Sequence, residues 1–387
     1  MQYRNLGKSN LQVSRLCLGT MMFGDQTPRE EAAAIVADAH AQGVNYIDTA
    51  DVYTKGASET ILGELLRGQR HHWVLATKLG NPMSDRVNEA HYSRSWMLRE
   101  IEASLGRLQT DHVDILYLHR DYNGMNLEEP LRALDAMLRA GKIRYWGVSN
   151  FRGWRITELV HLARQMGMPG PVVCQPYYNL LNRMPEVEIL PACAHHGVGV
   201  TPYSPVARGV LTGKYLPGQP PVAGSRAARG DKRIAQTEWR EESLQIAQTL
   251  QQHVHERGVT LAQFATAWVL AHPAVSSVIE DSQRPEPTTT PTTARFPGRR
   301  LTAATFEINV VCRSASTIGR LTTSTAGGDA AYRLRTRVGA GHGHRDGLQG
   351  GRQQSQNYFA PGHYGHGYFG RRLHPRPLGH DAQEKSR

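Results

Sequence analysis

Short apolar runs alternate with amphipathic stretches over the first 280 residues, and this alternation leaves the chain very few folds to choose from. Eight runs read as strands: residues 13–19, 45–50, 73–78, 114–119, 145–150, 172–176, 199–204 and 276–279. Between them, residues 28–42, 58–66, 93–108, 127–139, 156–166 and 186–195 place apolar side chains at helical spacing. Residues 239–257 and 261–271 form a helix pair before the eighth run. Gly43, Gly141 and Gly167 follow three of these stretches, the place where a helix prefers a glycine. Strands and helices in strict alternation predict an α/β fold with a closed parallel sheet, a (β/α)8 TIM barrel, rather than an open sheet.

In such a barrel the carboxyl ends of the strands converge on one face, and chemistry is done there. Four polar residues stand at or just past the ends of apolar runs: Asp48, Tyr53, Lys78 and His119. A free tyrosine hydroxyl, with a pKa of ~10, is a poor acid near neutrality. An ammonium at Lys78 would lower that pKa, Asp48 would hold the ammonium, and His119 would orient a substrate oxygen. That chemistry suits reduction of a carbonyl. Any one of the four is better read as a loop residue or a cap; all four at strand ends are not.

The same segments carry a resemblance. Met1-Gln-Tyr-Arg-Asn-Leu-Gly-Lys-Ser9, Leu16-Cys-Leu-Gly-Thr-Met-Met-Phe-Gly24, Ile47-Asp-Thr-Ala-Asp-Val-Tyr53, Ala76-Thr-Lys78, Leu118-His-Arg120, Gly147-Val-Ser-Asn150, Gln175-Pro-Tyr-Tyr-Asn179 and Tyr203-Ser-Pro-Val-Ala-Arg-Gly-Val-Leu-Thr-Gly-Lys214 follow one another in order. Over residues 1–280 the chain resembles the aldo-keto reductases, in the bacterial branch near aryl-alcohol dehydrogenases and potassium-channel β subunits. The resemblance implies NADPH as cofactor, a small carbonyl compound as substrate, and Asp48, Tyr53, Lys78 and His119 as catalytic residues. It implies that Ser149, Asn150 and Gln175 pin the nicotinamide carboxamide while Tyr203 stacks on the ring. Ser204, Pro205, Val206, Gly209, Leu211 and Lys214 would hold the pyrophosphate, and Gly19, Thr20 and Met21 would line the mouth beside Asp48. Met22, Phe23, Tyr53, Trp146 and the loop of residues 120–125 are candidates for the substrate pocket.

Composition divides the chain at about residue 281. Residues 282–387 hold fifteen Arg and one Lys against six acidic residues, so ten of the eleven net positive charges lie there. The barrel segment, residues 1–281, is near neutral, which gives no electrostatic support to nucleic-acid binding. The basic remainder loses both periodicities and is expected to be of low order, either a natural extension or the out-of-frame reading of GC-rich coding DNA. Where relatives grip the adenosine 2′-phosphate after the eighth strand, this chain reads Glu280-Asp-Ser-Gln-Arg-Pro-Glu-Pro287, which does not match. The Gly365-His-Gly-Tyr-Phe-Gly370 string follows no strand and opens no helix, so it reads as composition.

Cys17, Cys174, Cys193 and Cys312 show no metal or paired spacing, and no metal site is expected. With no signal peptide and no apolar run approaching ~18 residues, a cytoplasmic protein without a membrane span is the default. Residues 215–238 read as a long loop. The resemblance implies that it folds over the cofactor, where Arg226, Arg229, Lys232 and Arg233 either face the phosphates or, the commoner outcome, stay solvated surface charges. Two alternatives to an NADPH-dependent carbonyl reductase stay open: a non-catalytic, channel-associated subunit on the same barrel, or a reductase inactivated by a frameshift.

Overall fold

The computed structural model describes residues 1–255 and 258–281, together with a two-residue antiparallel pair, Ile308–Asn309 with Arg320–Leu321. The expectations for the basic segment 282–387, and Cys312 within it, otherwise lie outside the described residues.

The chain opens on an antiparallel hairpin, β1 (Tyr3–Asn5) with β2 (Gln12–Ser14). Eight parallel strands follow: β3 (Leu16–Gly19), β4 (Tyr46–Asp48), β5 (Val74–Leu79), β6 (Val113–Leu118), β7 (Ile143–Ser149), β8 (Val173–Gln175), β9 (Gly199–Val200) and β10 (Val278–Asp281). They pair in the order β10-β3-β4-β5-β6-β7-β8-β9. The ring closes where Ser276 donates to the Val200 carbonyl and Ile279 to the Pro202 carbonyl, both at 2.9 Å. The first run is therefore not one strand. Ser14 bonds to Asn45 through its main-chain N–H at 2.7 Å and to the Leu16 carbonyl through its hydroxyl at 2.6 Å, which ends β2 before the barrel begins.

The outer ring holds α1 (Arg29–Ala41), α2 (Ala57–Leu65), α3 (Arg94–Leu108), α4 (Glu128–Arg139), α5 (Gly153–Gln165) and α6 (Ile189–His196). The segment expected to be a plain loop contains a short helix, α7 (Lys232–Thr237), because the Asp231 side chain accepts from the N–H groups of Arg233 and Ile234. Then come α8 (Glu241–His255) and α9 (Leu261–Ala271), the latter opened by a Thr260–Gln263 capping box.

Strand parity sets two cores. Ile47, Leu75, Leu79, Leu116, Leu118, Trp146 and Val148 face out and pack on helix residues such as Leu62, Ile101, Leu105, Leu134 and Leu159. Each such side chain contributes about 1.5–3 kcal/mol on burial. Tyr46, Val74, Ala76, Ile115, Tyr117 and Val173 face in, with Leu6 and Val13 of the hairpin segment packed among them. Inside the barrel the Tyr46 and Tyr117 hydroxyls bond at 2.7 Å, so two polar groups are buried together rather than singly. Parity then continues upward past these layers to Asp48, Lys78, His119, Ser149 and Gln175.

Candidate active site

The inward positions at the carboxyl ends form one hydrogen-bonded unit. Lys78, fully buried, makes an ion pair with Asp48 and donates to the Thr49 carbonyl at 2.9 Å and to the Tyr53 hydroxyl at 3.1 Å. Gln175 donates to the other Asp48 oxygen at 2.8 Å. Register puts Asp48 beside Ala76 and Lys78 beside Tyr117, so adjacent strands deliver these groups to one level. Tyr53 lies on a tight turn, Tyr53–Gly56, whose Thr54 and Lys55 are left-handed, with φ of 48° and 53°. Gly56 ends it at φ 91°, where a Cβ would sit 2.8 Å from the Arg107 side chain. Only glycine fits there.

Burial governs the charges. It disfavours the Lys78 ammonium, but Asp48 and Tyr53 together outweigh it, and the lysine stays protonated. Burial raises the Asp48 carboxyl, opposed by Lys78 and then by Gln175. Tyr53 is pushed up to about 12, first by burial, with Lys78 pulling the other way. The expectation of a lowered tyrosine pKa is thus corrected: desolvation of the phenolate exceeds the pull of the ammonium. His119 is driven well below its ordinary value by burial, then by Lys78, Arg233 and Arg120, so its ring is neutral. That ring stands edge-on to Tyr53, with centroids 6.0 Å apart and planes at 81°. Its buried Nδ1 has no hydrogen-bond partner among the described residues.

The other predicted residues fall at the same mouth in different states. Ser149 donates to the Gln175 carbonyl, and Asn150, at φ 59°, donates to the His119 carbonyl and accepts from the Tyr203 hydroxyl at 2.8 Å. Tyr203 stacks on Tyr177, centroids 5.4 Å apart, with Arg208 over the far ring. Ser204 is left-handed at φ 58°, and the Asn179 side chain holds its carbonyl. Pro205 and Leu211 are buried, Val206 and Gly209 partly so, and Lys214 is exposed with its ammonium 5.3 Å from the Tyr215 ring. The amides of Gly209 and Leu211 both bond back to the Val206 carbonyl. Met21 receives Arg233 through sulfur at 3.6 Å. Thr20 spends its hydroxyl on the Asp48 carbonyl and on Ser58, below the mouth rather than in it.

Two pocket candidates fail. Trp146 and Phe23 are wholly buried in the outer core, and the Trp146 indole donates to the Pro169 carbonyl at 2.8 Å. Of the loop cations, Arg226 is paired with Asp231 at 2.7 Å and Arg229 bonds to Gly224 and Gln26. Cys17, Cys174 and Cys193 are buried thiols.

Sequence reading missed two features. Asp281 ends β10 facing inward, close enough to Gly19 that a Cβ there would sit 2.3 Å from its oxygen. Strand parity, counted on from Ile279, would have found it. Behind Tyr53, Arg107 pairs with Glu59 at 2.7 Å and with Glu100 at 2.5 Å, and Thr77 donates to Glu59 at 2.5 Å. Asp51, wholly buried nearby, has its carboxyl pushed well above the usual carboxylate range by burial and then by these two carboxylates. No local pattern marks such a cluster, because its members come from α2, α3 and β5.

Fold and cluster define a (β/α)8-barrel protein whose candidate site lies at the carboxyl ends of its strands. The chain belongs to the aldo/keto reductase family, whose profile matches residues 15–290. It is 40% identical over 291 residues to a probable voltage-gated potassium channel subunit beta of Arabidopsis thaliana, covering 73% of this chain and 88% of that one. A rice protein of the same description is 38% identical over 286 residues, covering 72% and 86%. An uncharacterized oxidoreductase of Bacillus subtilis is 37% identical over 290 residues, again covering 72% and 86%. Among the described residues no helix is long and apolar enough to cross a membrane, and no group of three or more His, Cys, Asp or Glu is placed to hold a metal.

Proposed function

We propose that this protein reduces aldehydes or ketones to alcohols, with NADPH as the hydride donor and Tyr53 as the general acid. The observation that carries the reading is the chain Asp48–Lys78–Tyr53, with the neutral His119 edge-on to the phenol. The site residues suit the cofactor. Tyr203 offers an aromatic face with the Asn150 amide on its hydroxyl, the Gln175 amide lies on Asp48, and the orphaned Nδ1 of His119 awaits a partner. Bound NADPH would supply the hydride.

The protein's part is to place and protonate. As negative charge grows on the carbonyl oxygen, Tyr53 transfers its proton there, and the Lys78 ammonium stabilises the phenolate left behind. Asp48 keeps the ammonium aimed at the tyrosine. His119, neutral, donates a hydrogen bond to the same oxygen and fixes its approach. Family membership and the oxidoreductase relative support this reading. Two plant relatives named as channel subunits favour a second one, in which the barrel serves an assembly rather than turnover.

The test is Tyr53→Phe with NADPH and 4-nitrobenzaldehyde. Reduction is expected to be lost while NADPH still binds, measured by cofactor fluorescence. Near-normal turnover by the variant removes Tyr53 from the mechanism, and absence of turnover by the parent protein favours the channel-subunit reading.

A further inference from the structure

Beyond His119 the chain runs directly into Arg120, whose main chain is unusually well held. Its N–H donates to the Tyr92 hydroxyl at 3.0 Å, and that hydroxyl donates to the Arg120 carbonyl at 2.7 Å. Tyr92 is buried, and Gly80 makes room for it, since a Cβ there would meet the Tyr92 ring at 2.3 Å. The Arg120 guanidinium lies 5.6 Å from the centre of the Tyr122 ring, and the Tyr122 hydroxyl is tied to the Gly80 carbonyl at 2.7 Å. The cation thus sits on a fixed aromatic wall beside the ends of β5 and β6.

This guanidinium is exposed and has no carboxylate partner among the described residues. The neighbouring acid cannot serve, because Asp121 accepts from Arg155 at 3.2 Å. Arg233 reaches in from α7 to Met21 at the end of β3 and is likewise without an acid, adding to the positive field around His119. Arg120 follows β6, whereas the pyrophosphate candidates Ser204–Lys214 follow β9, three strands further round the ring. A preorganised, solvent-facing guanidinium next to the residue that orients the carbonyl is arranged to hold a second, anionic group of the same molecule.

We propose that Arg120 recognises a carboxylate on the carbonyl substrate, so that the preferred substrates are aldehydes or ketones that carry a negative charge. The inference rests on the reductase reading above and names its substrate class.

The test compares 4-formylbenzoate with its methyl ester, two aldehydes of nearly the same shape that differ in charge. With the full chain and NADPH, kcat/KM for the acid is expected to exceed that for the ester by about tenfold or more, the scale of one charge-assisted contact. Arg120→Gln should bring that acid-to-ester ratio close to one, Arg120→Lys should keep part of it, and added salt should lower it in the parent. Because the ratio is internal to each variant, partial loss of folded protein does not move it. A parent ratio near one, or a ratio unchanged in Arg120→Gln, overturns the proposal. Calorimetry with the product pair, 4-(hydroxymethyl)benzoate and its methyl ester, in the presence of NADP+ reads recognition without turnover. If the parent reduces neither aldehyde, the reductase reading fails. Equal binding of the product pair, or no binding, then overturns the carboxylate site as well.

Discussion

Lys78 shows how far one buried charge can organise a mouth of loops. An ammonium with no exposed surface persists only because Asp48, the Thr49 carbonyl and Tyr53 surround it. Lys78→Met should therefore lower kcat by several orders of magnitude, since the phenolate formed by proton transfer loses its counter-charge. A turnover number within about tenfold of the parent would break the coupling. The pH profile follows from the same environment. In the proposed mechanism Tyr53 is the proton donor; it is pushed up to about 12 and so remains protonated until pH approaches that value. His119 is already neutral because burial holds it well below its ordinary value. The chemical step of reduction, isolated in single turnovers, should therefore stay flat from about pH 6 to about pH 9. A step near the free-histidine value would show that His119 titrates in the working enzyme. For stability the sign is opposite in consequence: a histidine with a depressed folded pKa contributes stability above its unfolded value and loses it as pH falls through about 6.5. His119→Gln should make acid unfolding shallower in that window, seen by circular dichroism.

At the scale of elements, the turn that carries Tyr53 is held from behind rather than by its own residues. Its left-handed Thr54 and Lys55 are costly conformations, sustained by Gly56 against Arg107 and by the Arg107 pairs to Glu59 on α2 and Glu100 on α3. Arg107→Met would leave two carboxylates in a largely buried pocket beside Asp51. The expected loss is about 3–5 kcal/mol in urea unfolding, the usual cost of orphaning a buried charge. A change below about 1 kcal/mol would mean that the carboxylates simply take up protons, the direction in which burial already pushes Asp51.

The barrel as a whole separates its two duties by height. The hairpin residues Leu6 and Val13 fill the lower interior with Tyr46, Val74 and Val173, while Asp48, Tyr53, Lys78 and His119 lie at or just past the carboxyl ends. Leu6→Ala should cost about 2–5 kcal/mol of stability through the cavity it leaves and leave KM for aldehyde unchanged at temperatures where the variant is folded. A shifted KM with an unaltered melting temperature would reverse that division of labour.

Much of this was legible in the sequence because it depends on local periodicity. Alternate residues of a strand face alternate sides, so Tyr46 and Asp48, Val74, Ala76 and Lys78, or Tyr117 and His119 share a side whatever surrounds them. Parity read with more care would also have turned Trp146 outward and Asp281 inward. What the sequence determined by itself was the set of strands, the fold class, and the side and level at which the polar residues stand. Only the tertiary structure decided their charge states and their supports. Whether burial or Lys78 governs Tyr53, which arginines find acids, and which helices meet behind the turn depend on distances between segments far apart in the chain. Desolvation and Coulomb energies are set by those distances, and no local pattern encodes them.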